Sequence, residues 1–198
     1  MSWTVAVDQA QLNAARDVLQ YIGGGYNRAV MRAANYAADR TRTATSKKLK
    51  ALLTADPDRI NKSLSRQRAN LANPTAVLNI TGNSIPLFRF DVSFMYPTIS
   101  GGVTAKIYKS GAPLSLKHAF VAKFKSGHVG VFTRKGKSRV PVEEHFGPHA
   151  ARAFEKTPGV ENELMTLGAE RFTSELDRQV GLLFKQEYGV DPPDDWAD

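Results

Sequence analysis

Four histidines and a pair of glutamates are the residues whose types could do chemistry: His118, His128, His145 and His149, with Glu143 and Glu144 beside the last two. His145 and His149 are four residues apart, the spacing at which a helix can aim two imidazoles at one metal ion. Their order is not the His-Glu-x-x-His of zinc hydrolases, and Gly147-Pro148 between them breaks the helix that would align them. No metal site is expected. The chain has no cysteine, which removes disulfides and thiolate metal centres. It has no serine nucleophile elbow, and its carboxylates gather towards the C-terminal end, at helical surface positions. Gly23-Gly24-Gly25 matches neither a phosphate-binding nor a dinucleotide-binding loop and reads as a hinge. No enzyme, catalytic residue or cofactor is expected.

Charge carries more. The formal net charge is +8, unevenly spread. Residues 28–68 hold 11 basic and 3 acidic side chains, residues 106–140 hold 9 basic and none acidic, and residues 143–198 hold 5 basic and 13 acidic. Such a distribution suits either contact with nucleic acid or head-to-tail packing of copies, positive face onto negative. The candidate contact residues are Lys123, Lys125, Arg134, Lys135, Lys137 and Arg139, read as one group around a hairpin turn. They come with no base-reading motif and no aromatic interleaving, so only a non-specific backbone contact is expected of them. The acidic C-terminal region offers a protein partner for the same residues.

The elements that must position these residues follow from periodicity. His128 to Arg134 alternates as a strand, Lys135-Gly136-Lys137 supplies a turn, and Ser138 to Val142 returns as a partner strand, with Pro141 marking an edge. Gly147-Pro148 reads as a cap and first helical position. Upstream, Asp8 caps a helix with Gln11 as its capping-box partner. Asn27 to Leu53 forms a long basic helix with an alanine-rich stripe, and Pro57 to Leu64 a short one. Ala76 to Thr81, Ile85 to Phe94, Val103 to Tyr108 and Leu116 to Phe124 read as strands. Their spacings leave no room for helical crossovers, so the sheet is antiparallel. Downstream, Pro148 to Lys156 and Val160 to Tyr188 read as helices.

The run Ser126-Gly127-His128-x-Gly130-Val131-Phe132-x-Arg134, then Arg139-Val140-Pro141-Val142, then Gly147-Pro148, resembles the signature of the phage minor tail protein Z family, the tail completion proteins of lambda-type long-tailed phages and prophages. The likeness covers roughly Val5 to Tyr188. It departs at Val140 and Val142, where the family tends to have Leu and Ile, and at His149, where the family often has a small hydroxyl residue. The resemblance implies a structural virion protein that forms a homo-oligomeric ring, hexameric, at the head-proximal end of the tail. Implied partners are the tail tube or terminator and the head–tail connector, with genomic DNA passing through the lumen. The implied location is the virion, after assembly in the bacterial cytoplasm.

The expected fold class is α+β: N-terminal helices including the long basic one, a central antiparallel sheet of about five strands, and a C-terminal helix. One domain is expected over residues 1–190, with residues 1–7 as a possible arm or edge strand and 191–198 as an acidic tail. Trp196 in that tail is a candidate anchor in a neighbouring copy. No run of about 18 apolar residues offers a membrane span, and Met1 to Thr4 lacks the features of a signal peptide.

Overall fold

The structure, a computed structural model, describes residues 7–80, 82–94 and 102–193. Its class is α+β: among the described residues are five α-helices and eight short strands, with the strands divided among one two-stranded and two three-stranded sheets. The described residues fall into two compact units. The first takes residues 7–45, 65–79 and 158–193, and the second the remainder.

The first unit is mainly helical. Asp8 caps α1 (Gln9–Val18) by accepting the Ala10 N–H at 2.9 Å. Gln11 does not close a capping box. Its side chain is buried, and its Nε2 donates to Asp177 Oδ1 at 2.6 Å. Gly24, at φ +67°, turns the chain. α2 (Gly25–Leu52) then begins where a Cβ on Gly25 would lie 2.9 Å from that of Ile22. Ala29, Ala33 and Ala37 of α2 are buried with Leu176, Val180 and Leu183 of α5 (Val160–Tyr188), with Ala15 of α1 and with Leu19 at its C-terminal end. Small side chains on α2 let the larger ones of α5 fill the space between them. Each of the fully buried leucines contributes about 1.5–3 kcal/mol by leaving water.

A polar chain runs beside this core. Arg32 donates to Gln179 Oε1 at 3.1 Å, and Gln179 donates to Glu175 Oε1 at 2.7 Å. Glu175, 6 % exposed, accepts a forked pair from Arg178 at 2.6 and 2.9 Å. That guanidinium holds the Glu175 carboxyl below the usual carboxylate range, although burial pushes the other way. β1 (Leu64–Gln67) pairs with β2 (Val77–Ile80). Asn35 of α2 exchanges two hydrogen bonds with the backbone of Ala69, at 3.0 and 3.1 Å, and so fastens the segment after β1. An apolar cavity of about 620 Å³ lies among Val30, Ala37, Thr41, Val77, Leu164 and Phe172.

The second unit begins with the last turns of α2, which bury Leu49, and with Leu53 just beyond. α3 (Pro57–Lys62) is capped by Asp56 and buries Ile60. The stretch expected as one strand from Ile85 to Phe94 is interrupted. Pro86 bridges to Phe146, Leu87–Arg89 forms a 3-10 turn, and only Asp91–Phe94 is strand, β3. The interruption is held from outside: Leu87 N–H donates to the His145 carbonyl, and the Arg89 carbonyl accepts from Asp56 N–H. β3 pairs with β4 (Val103–Lys106), which pairs with β5 (Leu114–Leu116). The expected strand from Leu116 to Phe124 is also split, by a turn in which His118 takes φ +66°. β6 (Phe120–Lys123) opens the other three-stranded sheet. All four pairings in these two sheets are antiparallel.

Candidate functional site

The resemblance-bearing residues build the second three-stranded sheet and the turn that leads out of it. β7 (Val129–Arg134) lies between β6 and β8 (Val142–Glu144). In this register Phe120 faces Phe132, Ala122 faces Gly130, and Phe132 faces Glu144 on its other side. One face of the sheet therefore carries Phe120, Ala122, Gly130, Phe132, Arg134, Val142 and Glu144, with Phe124 and His128 continuing it past the strand ends. The opposite face carries Val121, Lys123, Val131, Thr133, Glu143 and His145. Val131 is fully buried there.

Two glycines of the run have steric reasons. A Cβ on Gly130 would stand 2.7 Å from Glu144 Oε1 and 2.8 Å from Phe132 Cζ, so Gly130 lets ring and carboxylate lie close over the backbone. Gly147 is buried, its N–H donates to the Ile85 carbonyl at 2.8 Å, and a Cβ there would stand 2.6 Å from Cζ of Phe90. Pro148 does not start the helix. His149 is the cap of α4 (Ala150–Glu155), with its Nδ1 accepting from the Arg152 N–H at 3.1 Å.

The histidines are thus accounted for one by one. His128 Nε2 lies 2.9 Å from Glu144 Oε1, His145 Nε2 lies 2.5 Å from Thr133 Oγ1, and His149 caps a helix. His118 is exposed in its turn. Among the described residues no group of three or more His, Asp or Glu is placed to hold a metal ion.

The basic residues read as one group are two groups. Lys123 and Lys125 stand at the β6–β7 turn, which closes through Phe124 N–H to the His128 carbonyl at 2.8 Å. Arg134, Lys135, Lys137 and Arg139 stand at the other end of β7. Five residue steps at about 3.4 Å each separate the two ends by about 17 Å. The second strand of this hairpin starts later than the spacing predicts. Ser138 to Pro141 belongs to a loop closed by Lys135 N–H to the Pro141 carbonyl at 3.1 Å, with the Val140-Pro141 peptide cis, and β8 begins at Val142.

The six side chains are all exposed but differ in their partners. The Arg134 guanidinium lies 5.1 Å from the centroid of the Phe120 ring, a cation–π contact. Lys135 pairs with Glu143 at 3.7 Å. Lys123, Lys125, Lys137 and Arg139 make no ion pair among the described residues.

Sequence reasoning missed the aromatic side chains beside them. Phe124, between Lys123 and Lys125, is 42 % exposed. Its ring stacks on His128, with centroids 6.3 Å apart and planes 21° from parallel, and tilts against Phe132 at 4.8 Å. Phe132, 3 % exposed, is the buried base of the group, and Phe120 joins it at 6.3 Å. Alternation along β6 and β7 was the available signal, because it places Phe120, Phe124, His128 and Phe132 on one face once the strands are paired. The other candidate, Trp196, lies outside the described residues, as do residues 1–6 of the expected arm. No protein-family model, no curated protein and no solved structure matches this chain.

Proposed function

We propose that this chain is a structural protein of a phage tail, a tail completion protein. In this reading several copies, six in a closed ring, sit at the head-proximal end of the tail. They meet the tail tube or terminator on one side and the head–tail connector on the other, and DNA passes through the lumen of the virion. One observation carries the reading beyond the sequence likeness. The residues of the shared run are spent on construction: Gly130 and Gly147 permit close approaches, His128 and Glu144 tie β7 to β8, and Gly147 stitches the chain to Ile85. A signature made of packing positions is what a building block would keep.

A second reading, a nucleic-acid-binding protein, draws on the basic groups at both ends of β7. Electron microscopy of tails assembled with and without the protein separates the two. Tails of normal length that lack an end ring and fail to join heads are the expected result. Normal joining in its absence would refute the tail-completion reading.

A further inference from the structure

The two units differ in charge. Residues 46–64 and 80–157 hold 17 Lys and Arg against 6 Asp and Glu, an excess of eleven positive charges, whereas residues 7–45, 65–79 and 158–193 of the other unit hold 10 against 10. The excess is therefore a property of the β-rich unit. Within that unit, the face bearing Phe120, Phe124, His128 and Arg134 combines partly exposed rings with basic side chains at both ends.

We propose that this face binds single-stranded nucleic acid, with bases stacked on Phe124 and His128 and phosphates held by Lys125, in the turn at one end, and by Lys137 and Arg139 at the other. The chemistry matches what a single strand presents. Each unpaired base offers a π-face to an aromatic ring, and each phosphate offers a charge to a lysine or arginine. Stacking on a ring is worth enough per base to favour a strand whose bases are free over a duplex whose bases are already stacked. The rings are held for this use. Phe132 supports Phe124 from below, Gly130 keeps the centre of the face flat, and Arg134 lies over Phe120 at 5.1 Å, where a guanidinium can also stack on a base. Glu144, the acid on this face, is engaged by His128 at 2.9 Å. Lys125, Lys137 and Arg139 are exposed and make no ion pair among the described residues, so no existing pair has to break when a strand binds.

This inference does not depend on the tail reading, and it is tested without tails. Fluorescence anisotropy of the full chain with labelled oligo(dT), over a range of salt, is the measurement, with a duplex of equal length for comparison. Oligo(dT) should bind more tightly than the duplex, and its affinity should fall as salt rises. Phe124→Leu keeps an apolar side chain on Phe132 but removes the π-face, and should weaken oligo(dT) binding about 5- to 140-fold. The pair Lys137→Gln and Arg139→Gln sits in an exposed loop and should lower the salt slope by about 1.4. If Phe124→Leu fails to fold, the loop pair decides. No binding of oligo(dT) at about 0.1 M salt would overturn the proposal, and so would equal binding of duplex with no effect of Phe124→Leu. A loop-pair variant with unchanged DNA affinity but an altered oligomeric state by sedimentation would assign the loop to a second copy instead, which also overturns it.

Discussion

Gly147→Ala should destabilise the β-rich unit, and its size can be worked from the surroundings. The new methyl would stand 2.6 Å from Cζ and 3.1 Å from Cδ2 of Phe90, with Cε2 nearer still. Neither side can retreat cheaply. The Gly147 backbone is held to Ile85 by a 2.8 Å hydrogen bond, and Phe90 is 6 % exposed, with its own N–H bonded to Leu87. Overpacking of this kind costs about 1–3 kcal/mol, against about 0.4–1 kcal/mol recovered because alanine restricts the unfolded chain. For a chain of this length each net kilocalorie lowers the melting temperature by about 2–4 °C. Gly136→Ala is the control, since nothing lies within 4 Å of a Cβ there and its φ is not positive. It should be neutral or slightly stabilising. Thermal and urea unfolding of the two variants, the parent, Phe90→Leu and Phe90→Leu/Gly147→Ala completes the test. Shortening the ring should relieve the clash, giving a coupling of about 1 kcal/mol. If Gly147→Ala melts at or above the parent while Gly136→Ala behaves as stated, the steric account of the signature glycine is wrong.

Three further outcomes are expected. Because the folded-state Glu175 carboxyl is held below its ordinary value by Arg178, its contribution is present above the unfolded carboxyl's titration and is lost as pH falls through the folded one. Glu175→Gln should therefore cost about 1 kcal/mol at neutral pH, and unfolding curves of variant and parent should converge in acid. Thr41 is buried, and its Oγ1 has no hydrogen-bond partner among the described residues. Thr41→Val should thus stabilise by about 1 kcal/mol in urea unfolding. Leu176→Ala, at a fully buried position of the helical core, should destabilise by about 2–5 kcal/mol, measured in the same way.

How much could be read from the sequence was set by how local each cause is. α5 runs from Val160 to Tyr188 as its three- and four-residue apolar steps indicate, because helix hydrogen bonds and stripe are internal to the segment. α2 and the Asp8 cap were legible for the same reason. The β-rich unit was less so. Ile85 to Phe94 alternates like a strand, yet bonds from His145 and Asp56, both distant in sequence, fold part of it into a 3-10 turn. The turn at His118 needs a positive φ that no glycine announces. Partner choice was not readable, and several expected runs divide, so about five strands in one sheet were expected where eight in three sheets form among the described residues. The candidate surface shows the same limit. Lys123 and Arg139 look like neighbours along one hairpin, but β7 stands between their turns. The stacking of Phe124 on His128 appears only once β6 and β7 are in register.

The helical unit is assembled from segments far apart in the chain, and this sets the order in which a ribosome can complete the protein. Gln11 and its partner Asp177 are 166 residues apart. At bacterial-like synthesis speeds roughly 8 to 33 seconds pass between their appearances. The β-rich unit is whole once Thr157 has emerged, whereas α1 and the first half of α2 wait for α5 to cover Ala15, Leu19 and Ala33. During that interval the nascent chain exposes an apolar, alanine-rich stripe, the period in which a chaperone or a neighbouring nascent chain has access to it.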